Sequence, residues 1–144
     1  MESYRMYCLV LRQLSPMQKG IQAAHSIVEY SKRFGRRIEY ETWSLIDKTI
    51  IVLDGGTYQE MKEDRNFLKQ LGVVYDVFHE PDLNGMVTAY SLILSDKVWD
   101  TEKYQSYPDE LVDSDESEPD WLVNMGGMKN LMLRNFIKSK RLSA

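Results

Sequence analysis

Two short segments of this 144-residue chain carry side chains whose types and spacing could do chemistry. In the first, Lys19 stands where a helix should start, and Gln22 and His25 follow at three-residue steps. Residues three apart on a helix are neighbours, so Gln22 and His25 lie side by side. A lysine at a helix start adds its charge to the free N–H groups there, a combination that suits an anion. In the second segment, Glu80 and Asp82 precede Gly85, and Thr88 enters an apolar run. Carboxylates and a hydroxyl can hold a water or hydrogen-bond a carbonyl. Each residue also has an ordinary alternative. Lys19 reads equally as a solvated lysine, Thr88 as a plain strand residue, and His25 as a partly buried histidine packing its helix on a sheet.

Other chemistries find less support. Neither His25 nor His79 has a cysteine or second histidine at metal-ligand spacing, so no metal site is expected. Asp54-Gly55-Gly56-Thr57 falls between a strand and a helix, where phosphates often sit, but it lacks the rest of a phosphate-loop or dinucleotide fingerprint and reads as a turn. The lone cysteine, Cys8, lies in the apolar run Met6-Tyr7-Cys8-Leu9-Val10-Leu11 and reads as a small buried hydrophobe. Lys32, Arg33, Arg36 and Arg37 could contact nucleic-acid phosphates in a salt-dependent way. They could equally be a solvated helix end favoured by the helix dipole.

These side chains need a folded scaffold, and the composition supplies one. The apolar fraction is 43% and the charged fraction 28%, both near the globular norm. The length fits one domain. No stretch approaches the roughly 20 apolar residues that cross a bilayer, and no secretory signal is expected at the N-terminus. One cysteine allows no internal disulfide, which suits a reducing, cytoplasmic compartment. The net charge of −4 argues against non-specific nucleic-acid binding by the whole chain, and no motif specific for DNA is present. The charge is unevenly spread, however. Arg5, Arg12, Lys19, Lys32, Arg33, Arg36 and Arg37 face only Glu2 and Glu29 within the first 37 residues, whereas residues 107–120 hold acids and no base.

The elements follow from short-range pattern. Tyr4–Leu11 reads as a strand buried on both faces. Ser15, Pro16 and Gln18 open a helix through a capping box. On it Ile21, Ala24, His25, Val28 and Lys32 share a face, and Gly35 is a stop. A shorter helix is expected over 36–46, with Ile38, Trp43, Leu45 and Ile46 as its apolar contacts. A strand at 49–53 follows, then a turn at 54–56. A helix capped by Thr57 and Glu60 runs to Leu71, with Met61, Phe67, Leu68 and Leu71 as core candidates, and Gly72 ends it. Strands at 73–78 and 86–94 flank a loop with Asn84-Gly85 as its turn signal. The expected fold is α/β: a single-domain, three-layer-like, mixed four-stranded sheet in the order β-α-α-β-α-β-β, flanked by helices, with an added C-terminal helix. Residues 1–106 form the α/β part, 107–120 an acidic linker, and 121–144 a helical extension. The stretch 113–120 is expected to be exposed or disordered.

Lys19-Gly20-Ile21-Gln22-Ala23-Ala24-His25 after a strand, and Gly85-Met86-Val87-Thr88 leading into a final strand, resemble the type II peptidyl-tRNA hydrolases. Gln22 and His25 match that family's Gln-x-x-His element, and Gly85 and Thr88 its Gly-x-x-Thr. The resemblance covers about residues 4–95. The family's turn holds lysines four and six residues before the glutamine, where this chain has Gln18 and Pro16. Its acidic loop is shortened here, so that Glu80 or Asp82 takes the place of the acid.

The resemblance implies hydrolysis of the ester joining a peptide, or an N-blocked aminoacyl group, to tRNA, with no metal or organic cofactor. On this reading Lys19, Gln22, His25, Thr88 and Asp82 surround the scissile bond. Lys32, Arg33, Arg36 and Arg37 contact the tRNA backbone. The partner is peptidyl-tRNA or another RNA, no membrane is involved, and a homodimer is allowed. The rival expectations are a non-catalytic RNA-, nucleotide- or protein-binding module on the same fold, and an interaction protein that works through its C-terminal helix.

Overall fold

The computed structural model describes residues 1–111 and 117–143. Four strands, β1 (Tyr4–Leu11), β2 (Ile50–Gly56), β3 (Asp76–Glu80) and β4 (Met86–Ser95), form one mixed sheet in the order β2-β1-β4-β3. Pairing of β1 with β2 is parallel, and pairing of β4 with both β1 and β3 is antiparallel. The helices are α1 (Pro16–Phe34), α2 (Ile38–Thr42), α3 (Tyr58–Gln70), α4 (Asp96–Trp99), α5 (Asp120–Asn124) and α6 (Met128–Lys138). This is the mixed α/β architecture expected from the pattern.

Alternation along β1 explains the layers. Tyr7, Leu9 and Leu11 join Met61 and Leu68 of α3 and Leu133 and Phe136 of α6 on one face. Met6, Cys8 and Val10 join Ala23 and Tyr30 of α1 and Trp43 on the other. The C-terminal helix thus completes one face of the core. Arg134 fastens it there: its buried guanidinium donates to the carbonyls of Val98 and Lys97 at 2.6 and 3.0 Å, which capture the end of α4. Residues 141–143 run along the outer edge of β2, where Ser143 N–H donates to Val52 O and Asp54 N–H to Arg141 O. Sealing one sheet edge leaves β3 as the open one.

Several expectations are corrected. The face formed by Ile21, Ala24, His25 and Val28 is the outward one, and Gln22, Ala23, Ser26 and Tyr30 are buried instead. Hydroxyls on β4 make that inversion possible, because Ser26 meets Ser91 at 2.5 Å and Gln22 meets Thr88. Residues 36–46 are not one helix: α2 stops at Thr42 and a single π-helical turn (Trp43–Asp47) follows. Trp43 is buried there, its indole N–H donating to Thr49 O, whereas Ile38, Leu45 and Ile46 are exposed. Asp54-Gly55-Gly56 is no turn but the end of β2, bulged so that Val10 faces Asp54 and Leu11 faces Gly56. A Cβ on Gly55 would stand 2.9 Å from Val10 O, which is why the bulge takes glycine. The third strand starts at Asp76, which pairs with Ser91 of β4, rather than at 73. Residues 112–116 of the acidic stretch lie outside the described residues.

Candidate functional site at the carboxyl ends of the parallel strands

The strand directions bring the ends of β1, β2 and β3, the start of β4 and the N-termini of α1 and α3 to one end of the sheet. Open α/β sheets bind ligands outside the carboxyl ends of their strands. Both helix starts are capped by hydroxyls: Ser15 Oγ accepts from Gln18 N and Thr57 Oγ1 from Glu60 N. Their remaining N–H groups add a positive field at this end.

At its centre is a three-residue chain of hydrogen bonds. Thr88 Oγ1 donates to Gln22 Oε1 at 2.5 Å, and Gln22 Nε2 donates to Glu80 Oε2 at 2.7 Å. Glu80 Oε1 also accepts the N–H of Asp82 at 3.1 Å. A β-bulge makes the first contact possible. Phe78 pairs with Ala89 but His79 pairs with Val87, so Thr88 is the extra residue. Strict alternation would turn Thr88 away from the face that Ala89 occupies with α1; the bulge turns it back. Thr88 is wholly buried, Gln22 nearly so, and Glu80 is the half-exposed end of the chain. The Gln22 amide and the Asp82 N–H stabilise the Glu80 carboxylate and, with a smaller pull from His25, outweigh desolvation, holding its pKa below the usual glutamate value. A carboxylate that polarises an amide also makes the amide oxygen a stronger acceptor for Thr88.

The other expected residues arrange themselves around this chain. His25 is exposed and stacks on Phe78 of β3 with centroids 4.3 Å apart and planes 11° from parallel. Asp82 is exposed in the short 3-10 turn Pro81–Leu83, so the acid on Gln22 is Glu80 and Asp82 supplies only its N–H. Lys19 exerts its charge on Asp54. Burial raises the Asp54 carboxyl, but the Gly56 N–H, the Arg12 guanidinium and the charge of Lys19 outweigh it and leave the pKa lowered. Arg12 Nε donates to Asp54 Oδ2 at 2.9 Å.

The four expected phosphate contacts do not form one cluster. Arg33 reaches Asp76 at 3.8 Å, Lys32 reaches Glu29 at 3.5 Å, Arg37 lines a cavity at the far end of the sheet with Glu39, and Arg36 is exposed. The Arg12–Asp54 pair and the side-chain oxygen Oε1 of Gln18, which accepts from Gln22 Nε2 at 3.4 Å, were not foreseen. The bulge at Thr88 leaves no signal in the sequence, because it exists only in the pairing of β3 with β4. Among the described residues, no three histidine, cysteine or acidic side chains are placed to hold a metal, and no helix is long and apolar enough to cross a membrane.

Fold and site define a mixed α/β domain with a hydroxyl–amide–carboxylate chain at the carboxyl ends of its parallel strands. No family model matches the chain, and no curated protein matches it.

Proposed function

We propose that the protein is a peptidyl-tRNA hydrolase-like esterase that cleaves the bond between an N-blocked acyl group and the 3′ end of tRNA. The observation that carries this reading is the Glu80 carboxylate. It is kept ionised at one end of the sheet, fixed by Gln22 and open on its other side, with exposed His25 beside it. Glu80 takes a proton from a water that attacks the acyl carbonyl. The helix N-termini and Lys19 stabilise the oxyanion, and as the ester C–O bond breaks Glu80 returns its proton to the tRNA 3′ oxygen, which leaves as the hydroxyl. Thr88 acts through Gln22, since it is too buried to touch substrate. The resemblance of Gln22, His25, Gly85 and Thr88 to the family's motifs supports the same reading.

One observation favours a second reading. Gln22 and Thr88 bond each other so completely that they also serve as a buried clamp joining α1 to the β3–β4 hairpin. A binding module without catalysis needs no more than that. The deciding experiment is release of the blocked amino acid from a purified N-acetyl-aminoacyl-tRNA. A working enzyme loses about 10²–10⁴-fold in rate in Glu80→Gln, with a smaller loss in Lys19→Ala. Absence of cleavage by the wild-type protein, with RNA binding retained, makes it a binding module.

A further inference from the structure

The open edge of the sheet carries a second polar feature that catalysis does not use. A cavity of about 450 Å³ wraps over the first half of β3, between the end of α1 and the last turns of α3. Arg33, Arg65 and Lys69 line it, with Phe34 and Tyr75 as aromatic walls and Asp76 as the acid. Arg65 and Lys69 are four apart on α3 and so share a face. Arg33 is partly satisfied by Asp76 at 3.8 Å. Arg65 differs: its Nη1 is buried with no hydrogen-bond partner among the described residues, and the hydroxyl of Tyr90, wholly buried beside it, has none either. An unmet buried donor is costly, so Arg65 gains more than a paired arginine by turning to an acceptor in the cavity.

We infer that this cavity is a binding groove for an RNA backbone, in which Arg65, Lys69 and Arg33 contact phosphates and Phe34 and Tyr75 offer faces for bases. Three cations against one acid favour a polyanion. Aromatic walls between the cations favour one with stackable bases over a simple acidic peptide. The groove's Asp76 and the site's Glu80 lie on one strand, β3, about 13 Å apart. The choice of RNA rests on the function proposed above. The groove itself does not, since it shares no residue with the Thr88–Gln22–Glu80 chain.

The test is fluorescence anisotropy of uncharged tRNA on the full-length protein at several salt concentrations. Arg65→Gln with Lys69→Gln should weaken binding about tenfold or more and flatten the slope of log K against log salt by about 0.7–0.9 for each lost phosphate contact. Lys62→Gln, which removes a charge from the same helix outside the groove, should leave both nearly unchanged, and thermal melts check that each variant is folded. Equal weakening by Lys62→Gln, or no binding by the wild-type protein, overturns the groove. So does displacement that matters for polyglutamate but not for tRNA, which would assign an acidic protein partner. Uncharged tRNA has no ester, so the two proposals fail separately. Groove-dependent binding without cleavage removes only the esterase. Cleavage with a KM unmoved by the double variant removes only the groove.

Discussion

Thr88 and Gln22, 66 positions apart in sequence, meet through a 2.5 Å hydrogen bond that joins the first helix to the last strand of the sheet. The contact exists because a one-residue bulge turns Thr88 toward α1 and because α1 buries Gln22 beside Ala23, Ser26 and Tyr30. Its consequences can be measured.

Thr88→Val keeps the shape and removes the donor. Gln22 Oε1 then stays buried without its partner, which costs about 1–3 kcal/mol. Urea unfolding should show that loss as a lower midpoint at unchanged slope. Gln22→Leu in the same background should recover part of it, because both polar partners are then gone. Additive losses in the double variant would contradict a direct coupling between the two side chains.

Glu80 makes stability depend on pH in a definite direction. Its native pKa lies below its ordinary value because Gln22 and the Asp82 N–H hold the carboxylate. The unfolded chain therefore takes up this proton first as the pH falls. The stabilisation is present above the unfolded glutamate pKa and disappears as pH drops through the native one. Wild type should exceed Glu80→Gln in stability at neutral pH, and the gap should shrink as the pH falls below the ordinary glutamate range. A gap that widens in acid would reverse the assignment.

Cys8 should be inert while the protein is folded. Burial pushes its thiol up to about 11, against smaller opposing pulls from Ser91 and Ser26. Ser91 Oγ lies 3.2 Å from its sulfur. Thiolate is the reactive form, so labelling by a disulfide reagent should proceed only as fast as the protein opens. Labelling in native buffer at the rate of free cysteine would show that this face of the sheet is accessible.

Gly55 allows no side chain. Alanine there would place its Cβ 2.9 Å from Val10 O and 3.1 Å from the Met61 thioether. The methionine can move, but the carbonyl belongs to the central strand. Gly55→Ala should cost about 1–3 kcal/mol in thermal or urea unfolding, while Gly20→Ala, which meets open space, should not destabilise.

Much of the scaffold was legible in the sequence because it depends on local rules. Ser15 and Thr57 cap the two long helices as hydroxyls before a helical run should, and Gly72 and Asn84-Gly85 take the positive φ their turns require. What escaped depends on contacts between distant residues. No periodicity in α1 could say that Gln22 and Ser26 would be buried, because their partners lie on β4. Both bulges were invisible for the same reason: a bulge is a relation between two strands. At the site, Gln22 and Thr88 were named from their motifs. Between Glu80 and Asp82 the sequence alone does not choose; the contact with Gln22 falls to Glu80, the last residue of β3, and Asp82 meets Glu80 through its N–H.

The position of β1 sets a timetable for folding. The strand at the centre of the sheet precedes the other three in the chain, yet Cys8 finds its β4 neighbour Ser91 only 83 positions later. At about 5–20 residues per second, the ribosome leaves the apolar run from Met6 to Leu11 without that partner for roughly 4–17 s. Contacts so far apart in sequence also make refolding slow relative to a helical protein of equal size. During that interval the nascent chain depends on whatever shields a sticky strand in the cell, and rapid overproduction should lose soluble protein at this step before any other.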